Sequence, residues 1–125
     1  MSDTLVVETD GPVAQLTLNR PGALNALSEE LMGALQATLD GLSLREDIKA
    51  IVIRGAGKAF CAGHDLRELE GKRQSPDGGR AYYQALFAQC SRLMSTIPRQ
   101  PQPVIAEVHG IATAAGCQLV ASCDM

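Results

Sequence analysis

The segment AFCAGHDL, residues 59–66, is the part of the sequence that decides the fold, together with the similar segment HGIATAAGCQL at 109–119. Each follows an apolar, β-branched run, AIVI at 50–53 and VIAEV at 104–108, and each leads into a helix-compatible sequence. Each is therefore predicted to turn from a strand into a helix, where backbone N–H groups are left unpaired. Two such turns side by side can donate two hydrogen bonds to one oxygen that gains negative charge. This arrangement suits chemistry at an acyl carbonyl.

A third segment, LNRPGALNAL at 18–27, precedes both turns, and the second turn continues as GIATAAGCQLVASCD over 110–124. In this order and at this spacing, the segments resemble the enoyl-CoA hydratase/isomerase (crotonase) family, and in detail its divergent enoyl-CoA hydratase domain-containing branch. The resemblance runs from about Leu5 to Met125. It implies an α/β fold, the N-terminal portion of a crotonase-like (ββα) superhelix, with residues 1–125 as the N-terminal part of the catalytic domain.

The resemblance also implies an oxyanion hole formed by two backbone N–H groups, those of His64 and Ala115, which would stabilise a thioester enolate. Because this role belongs to the main chain, we expect the imidazole of His64 to face solvent without a catalytic part. The small residues Ala112, Ala114 and Gly116 would let a substrate approach the backbone closely. Tight helix packing explains the same residues, and both explanations can hold together.

A set of positions is implied to contact coenzyme A: Ala23, Leu24, Ala62, Asp65, Leu66 and Arg67. The backbone near Ala23 would meet the adenine end. Arg67 would meet a phosphate or, equally well, remain a solvated charge beside Glu68. Asp65 stands at the start of a helix, so we interpret it as a helix cap, and Asp124 as part of a structural turn, rather than as a catalytic carboxylate pair.

Gln118 departs from the hydratases that the chain resembles, which carry a glutamate at the corresponding position to activate or position water. An amide has no proton-accepting group at neutral pH, although its oxygen can hold a water molecule. Loss of a positioned acid or base typically costs roughly 100- to 10,000-fold in rate. The second glutamate would lie beyond Met125. Gln118 is thus a candidate catalytic position. An amide there would impair hydration of the substrate but leave binding of the thioester intact.

The composition indicates one soluble domain in 125 residues, with a net charge of −3 that argues against nucleic acid as a partner. No apolar run reaches the roughly 20 residues of a membrane span. The first residues, MSDT, lack a charged region followed by an apolar core, and the four cysteines form no Cys-x-x-Cys pair. We therefore expect a cytoplasmic protein whose cysteines are small core residues. Two separated histidines offer no metal-ligand cluster.

The pattern of the chain predicts a hairpin from strands at 5–9 and 13–18, joined by Asp10-Gly11. Ser28 is predicted to cap a helix with an apolar leucine stripe, and 48–53 to form a strand covered on both faces. Residues 70–79 are predicted to form an exposed loop. A helix over 80–97 should then end at Pro98, before a strand at 104–108.

These observations favour enoyl-CoA hydration or double-bond isomerisation, with an acyl-CoA thioester as substrate and no permanently bound cofactor. The sequence contains no glycine-rich nucleotide-binding loop. GAG at 55–57 lacks the third glycine of a dinucleotide loop, and Gly57-Lys58 is followed by Ala59 where a P-loop needs Ser or Thr. One alternative is a catalytically impaired acyl-CoA-binding or assembly module; another is a structural piece of a complex. The chain stops straight after a predicted helix, so we expect a missing C-terminal half, unusual exposed apolar surface, and a trimer or other homo-oligomer at full length.

Overall fold

The structure is a computed structural model that describes residues 3–125, so the first two residues of the MSDT segment lie outside the described part. Four strands form one sheet in the order β1 (Leu5–Asp10), β2 (Val13–Leu18), β3 (Ala50–Gly55) and β4 (Val104–Glu107). The hairpin strands β1 and β2 are antiparallel, and Leu5 pairs with Leu18. The pairs β2–β3 and β3–β4 are parallel. Parallel strands end at the same edge of a sheet, so the segments that follow β3 and β4 leave it side by side.

The helices are α1 (Glu29–Leu42), α2 (Leu66–Gly71), α3 (Arg80–Arg99) and α4 (Ala115–Ser122), and a 3-10 turn spans Pro21–Ala23. Ser28 caps α1 as predicted, since its hydroxyl accepts the N–H of Leu31 at 3.1 Å. The exposed loop begins only after Gly71 because α2 occupies the first two residues of the predicted range.

The helix α3 continues past Pro98 to Arg99, whereas Pro98 was predicted to end it. A proline removes the N–H that would bond to the carbonyl four residues earlier and crowds that carbonyl, so the helix ends one residue after Pro98. The next residue, Gln100, is extended, so the helix still ends close to the predicted position. The prediction was therefore wrong by a fraction of one turn.

The core lies between the sheet and the helices α1, α3 and α4. Its largest fully buried side chains include Leu16, Leu31, Leu35, Ile53, Phe60 and Leu93. Burying each such side chain contributes about 1.5–3 kcal/mol before the entropy cost of ordering it. Strand β3 buries Ile51 and Ile53, but Val52 between them is only half-buried. The prediction that this strand is covered on both faces is therefore wrong, because the helices of the described residues fully cover one face.

The four cysteines, all predicted to be core residues, differ in burial. Cys61 and Cys90 are buried, but Cys117 is exposed on α4 and was wrongly predicted to be a core residue. The buried surface of α4 is supplied instead by Ala115, Gly116 and Leu119, so Cys117 lies on the outward side.

Several large apolar side chains are exposed: Leu44, Leu66, Phe87, Val108, Ile111 and Met125. Within residues 3–125, no helix has the length and apolar character that a membrane crossing requires.

Candidate active site

The two turns singled out in the sequence lie against each other in the fold. The N–H groups of Phe60 and Cys61 donate to the carbonyl oxygen of Ile111 at 2.9 and 3.1 Å, and the N–H of Thr113 donates to the carbonyl of Cys61 at 3.1 Å. A bridge pairs Cys61 with Ala112 in parallel. Because β3 and β4 are parallel neighbours, these segments continue the sheet pairing for a few residues beyond its edge.

Glycine makes this close approach possible at two positions. Gly63 has φ of +99°, and a Cβ there would stand 3.1 Å from Ala114 Cβ and 3.3 Å from the backbone nitrogen of Ala115. A Cβ at Gly116 would collide with the carbonyl oxygen of Cys61. Tight packing therefore accounts for Gly116, as the packing explanation predicted. Gly63 brings the turn that contains His64 against the first residue of α4.

The backbone of His64 pairs with Leu27 so that the N–H of His64 points away from the segment that contains Leu27. In a parallel bridge, Leu27 donates to the carbonyl of Gly63 at 2.6 Å and accepts the N–H of Asp65 at 3.1 Å. The N–H of His64, between these two, consequently points to the opposite side. Among the hydrogen bonds of residues 3–125, none uses this N–H as donor. It is available to a ligand.

Ala115 provides the corresponding donor at the start of α4. As the first residue of the helix its N–H has no intrahelical acceptor, and no other acceptor for it is present among the described residues. The preceding residue, Ala114, has φ of +51° and ψ of −123°, a conformation that L-residues rarely adopt. Backbone strain of this kind persists where the surroundings enforce it, and it clusters at active sites.

The imidazole of His64 is half-buried, not solvent-facing as expected from the sequence. Its ring centroid lies 5.3 Å from that of Phe87 on α3, and the two planes meet at 72°, in an edge-on contact. Its Nδ1 atom is buried and has no hydrogen-bond partner. Burial lowers the pKa of His64, so the neutral form is favoured. The expectation was wrong because Phe87, which covers the ring, is distant in sequence.

A cleft of 260 Å³ opens beside this turn. It is lined by Arg20, Gly22, Ala23, Ala26, Ala62, His64, Asp65, Leu66 and Arg67. The fold thus brings together six of the nine positions singled out in the sequence. Leu24, Ala115 and Gln118 are not among the lining residues. Two larger clefts lie elsewhere, one between α1 and α3 and one near Gln102, and neither includes a residue singled out as a site residue.

Leu24 is bonded to a residue that lines the cleft, because its carbonyl accepts the N–H of Ala62 at 3.0 Å. Leu24 and Asn25 both have positive φ, 54° and 55°. The side chain of Asn25 is fully buried. Its Oδ1 accepts the N–H of Arg20 at 2.8 Å, and its Nδ2 donates to the carbonyls of Ala56 and Ala59 at 2.9 and 3.0 Å. Sequence reasoning quoted Asn25 within a motif but assigned it no role.

Asp65 caps α2, as predicted, through a 2.9 Å hydrogen bond from the N–H of Arg67 to its Oδ1. Its Oδ2 also forms an ion pair with Arg20 at 2.8 Å, which sequence reasoning missed because the partner is distant along the chain. Desolvation raises the pKa of Asp65, but the hydrogen bonds from Arg20 and the Arg67 backbone outweigh it, and the pKa lies below its ordinary value. Both oxygens of Asp65 are therefore engaged in structure.

Two other predicted positions lie at the surface. The guanidinium of Arg67 is exposed and forms no ion pair with a described residue, so it remains available to an anion. Gln118 is exposed on α4, three residues after Ala115, and its side chain forms no hydrogen bond within residues 3–125. Asp124, in contrast, accepts the N–H of Val104 at 2.8 Å, which fits the predicted structural role. The described residues contain no group of three metal-ligating side chains.

Curated relatives share this sequence over most of its length. The rat enoyl-CoA hydratase domain-containing protein 3, a mitochondrial protein by name, is 42% identical over 118 residues, which are 94% of this chain and 37% of the relative. A probable enoyl-CoA hydratase of Rhizobium meliloti is 39% identical over 122 residues, 98% of this chain and 44% of the relative. The chain therefore spans less than half the length of these relatives.

The names of the relatives contradict the predicted cytoplasmic location. The rat, mouse and human enoyl-CoA hydratase domain-containing proteins 3 and a probable hydratase of Dictyostelium discoideum are all named mitochondrial. The prediction relied on the lack of an apolar leader and on reduced cysteines. Neither criterion separates the two compartments, because mitochondrial targeting segments are amphipathic and rich in arginine rather than apolar.

Solved structures agree with the fold. The crystal structure of an enoyl-CoA hydratase from Mycobacterium smegmatis matches with a TM-score of 0.91 and 52% identity, over 99% of this chain and 47% of that one. The human enoyl-CoA hydratase domain-containing protein 3 matches with a TM-score of 0.88 and 38% identity, over 98% and 46%. These matches confirm the predicted α/β fold as the N-terminal portion of a crotonase-type structure.

The family model for enoyl-CoA hydratase/isomerase matches residues 8–125. This range includes both turns, the cleft and the strained approach to α4. Because the match extends over nearly the whole chain, the protein belongs to the enoyl-CoA hydratase/isomerase family.

Proposed function

We propose that this chain forms the thioester-binding part of an enoyl-CoA hydratase or isomerase, with the N–H groups of His64 and Ala115 as its oxyanion hole. The observation that carries the proposal is the packing of the two turns. A Cβ at Gly63 would be 3.3 Å from the nitrogen of Ala115, and neither proposed donor has an acceptor among the described residues. Two unpaired donors on adjacent turns suit an oxygen that gains charge.

These donors would act on the thioester carbonyl of an acyl-CoA. When a proton leaves the adjacent carbon, or when water adds to a conjugated double bond, negative charge moves onto that oxygen. Donors fixed by the fold stabilise this charge without further reorganisation, and removing one typically costs about 100- to 1,000-fold in rate. The helix α4, which begins at Ala115, adds the positive end of its dipole.

The cleft would receive the coenzyme A part of the substrate. Arg67 is exposed and without an ion pair among the described residues, so it can meet a phosphate. Ala23 and Ala62 offer small side chains and backbone groups, and the bond from Ala62 to the Leu24 carbonyl fixes the two walls together. The exposed Leu66 adds apolar surface. Asp65 serves the cleft indirectly, by holding Arg20 and the start of α2.

We further propose that the chain is the N-terminal part of a longer catalytic domain. The whole protein would function as a homo-oligomer, a trimer or a dimer of trimers. The support for a longer domain is that this chain covers 47% of the M. smegmatis hydratase and 46% of the human relative while matching each closely in structure. The homo-oligomer is implied by the family resemblance. We call the protein extended to the length of these relatives the full-length protein. The substrate is an acyl-CoA or enoyl-CoA in acyl-CoA metabolism, and no resident cofactor is required.

Turnover of crotonyl-CoA by the full-length protein tests the proposal, with Ala115→Val as the variant. Valine keeps the backbone N–H, but its two additional methyl groups at this buried position should displace the donor and lower kcat/KM by as much as about 100-fold, the effect of losing one donor. Ala121→Val, at an exposed position of the same helix, controls for the helix propensity of valine. Because Ala115 is buried, urea unfolding of Ala115→Val controls for disturbed packing. Equal rates for the wild-type protein and Ala115→Val would remove Ala115 from the site.

Gln118 supports a second candidate function, an acyl-CoA-binding module with little hydratase activity. Its amide cannot accept a proton as the glutamate of the hydratases does. If so, Gln118→Glu should raise the rate of crotonyl-CoA hydration while the Kd for a saturated acyl-CoA stays within a factor of two. A wild-type rate equal to that of an ordinary hydratase would contradict this alternative.

A further inference from the structure

The side chain of Asn25 is polar and fully buried, and the proposed function gives it no part. A buried amide destabilises a protein unless its polar atoms find partners. Both atoms do: Oδ1 accepts the N–H of Arg20 at 2.8 Å, and Nδ2 donates to the carbonyls of Ala56 and Ala59 at 2.9 and 3.0 Å. The amide therefore joins the loop that follows β2 to the segment that leads from β3 to the turn at His64.

One peptide group is held on two sides because of this contact. Its carbonyl, on Ala59, accepts the bond from Asn25, and its N–H, on Phe60, donates to the carbonyl of Ile111 at 2.9 Å. In a planar trans peptide the C=O and the N–H point in opposite directions. The amide of Asn25 and the segment that follows β4 therefore hold the same peptide plane from opposite sides.

This peptide group lies just upstream of both proposed donors. His64 follows Ala59 by a few residues, and Ala115 follows Ile111 by a few residues. A chain of hydrogen bonds thus runs from the loop that follows β2, through Asn25 and the held peptide, to the segment that leads to α4. A shift of the held peptide would change the distance between the two donors.

The backbone and surroundings of Asn25 fix where its amide lies. Its φ of +55° is left-handed, a conformation that asparagine tolerates better than most residues, and Leu24 before it also has positive φ. A Cβ at Gly55 would stand 3.0 Å from Nδ2, so the space on that side of the amide is closed. Backbone strain of this kind persists where the surroundings enforce it.

The wall of the cleft near Ala23 has hydrogen bonds of its own. The N–H of Ala23 donates to the carbonyl of Arg20 at 2.9 Å, and that of Leu24 donates to the carbonyl of Pro21 at 3.1 Å. The guanidinium of Arg20 also pairs with Asp65 at 2.8 Å. Loss of the Asn25 amide should therefore disturb the held peptide more than the part of the cleft that would receive coenzyme A.

We infer that Asn25 is a positioning residue, whose amide fixes the distance between the N–H groups of His64 and Ala115. It acts through the backbone of the two turns and not by contact with the substrate. The inference rests on the proposed function, because this distance matters for catalysis only if both N–H groups bind one oxygen. A misplacement of about 1 Å costs on the order of 100-fold in rate.

Asn25→Gly in the full-length protein tests the inference, because glycine adopts the left-handed backbone without strain and the change removes only the side chain. The kcat for crotonyl-CoA should fall roughly 10- to 100-fold. The Kd for free coenzyme A, measured by calorimetry, should stay within about a factor of three. In the complex with butyryl-CoA labelled with ¹³C at the carbonyl, the infrared shift of the carbonyl stretch should shrink. A loss of stability alone would not move this shift.

Asn19→Gly is the matched control. Asn19 is half-buried in the same loop, and its Nδ2 donates at 3.0 Å to the carbonyl of Asp3, away from the held peptide. This variant should keep both kcat and the carbonyl shift of the wild-type protein. Asn25→Asp is a second variant, which keeps an acceptor for the N–H of Arg20 but has no donor for the two carbonyls. It should lose kcat as Asn25→Gly does.

The outcomes separate the inference from the proposal beneath it. A wild-type kcat and carbonyl shift in Asn25→Gly would overturn the positioning role while leaving the oxyanion hole intact. Loss of the fold in both Asn25 variants, seen by circular dichroism, would also overturn it, because the amide would then serve the fold alone; if only one variant folds, that variant decides. An unshifted thioester carbonyl in the wild-type complex would overturn the proposed function, and the inference with it.

Discussion

Gly63 is the residue at which the turn that contains His64 approaches the start of α4. Its φ of +99° and the 3.3 Å from a Cβ there to the nitrogen of Ala115 leave no free space for a side chain. In full-length protein, Gly63→Ala should therefore lower kcat/KM for crotonyl-CoA about 100-fold, because the methyl group displaces one donor. Steady-state hydration assays measure this directly.

Gly78→Ala is the matched control for that substitution. Gly78 also has positive φ, +68°, but a Cβ there meets nothing within 4 Å. Both variants should lose roughly 1–2 kcal/mol of unfolding free energy from the left-handed backbone. Only Gly63→Ala should lose activity. If both variants kept their activity, the two turns would not form the catalytic site.

The carboxylate of Asp65 gives a prediction about pH. Its pKa is lowered in the folded protein, so its stabilisation is present above the unfolded pKa of about 3.8 and is lost as the pH falls through the folded pKa. Asp65→Asn should cost about 2 kcal/mol of unfolding free energy at pH 7, since hydrogen bonds to a charged group are lost. Urea unfolding at pH 7 and at successively lower pH should show the gap to wild type shrinking below about pH 3.8. A gap independent of pH would contradict the ion pair with Arg20.

At the scale of single residues, the sequence located the two turns better than it identified side-chain partners. The turns at His64 and Ala115 could be located because strand-to-helix patterns are local. The partners of Asn25 and Asp65 could not, because they come from segments that only the fold brings together. The contact between His64 and Phe87 was missed for the same reason, and with it the burial of the imidazole.

Among the elements, α1 begins at a cap that the sequence predicted correctly. Ser28 accepts the N–H of Leu31 at 3.1 Å, and Glu29 and Glu30 occupy the first turn. Ser28→Ala should lower the unfolding free energy by about 1 kcal/mol. Ser95→Ala, at an exposed position of α3, is the control and should change stability by no more than about 0.5 kcal/mol. Chemical denaturation measures both, and equal effects would argue against the cap.

The strands and helices were predictable where their cause is local periodicity or capping. The hairpin and α1 follow from a glycine turn and a leucine stripe, and both are present. The turn lies one residue later than predicted, because Asp10 pairs with Val13 as the last residue of β1, and Gly11 and Pro12 connect the two strands. The coverage of β3 was not predictable, because an apolar run is compatible with one covered face or two. The extension of α3 to Arg99 was not predictable, because the sequence pattern does not reveal at which residue near a proline a helix ends.

For the molecule as a whole, two parallel strands place the turns that contain His64 and Ala115 at one edge of the sheet. The resemblance carried by the three ordered segments implied this fold, and the match to solved structures confirms it. The exposure of Cys117 could not be predicted from the sequence, because it depends on how α4 is rotated against the sheet. The compartment was mispredicted because composition does not distinguish between two reducing environments.

The central claim is that the N–H groups of His64 and Ala115 bind the oxygen of a thioester. Isotope-edited infrared spectroscopy of butyryl-CoA labelled with ¹³C at the carbonyl tests it most directly, using full-length protein with and without Gly63→Ala. Two donors should polarise the carbonyl and shift its stretch to lower wavenumber in the wild-type complex, and the shift should shrink in Gly63→Ala. A bound thioester whose carbonyl absorbs where the free thioester does would contradict the account.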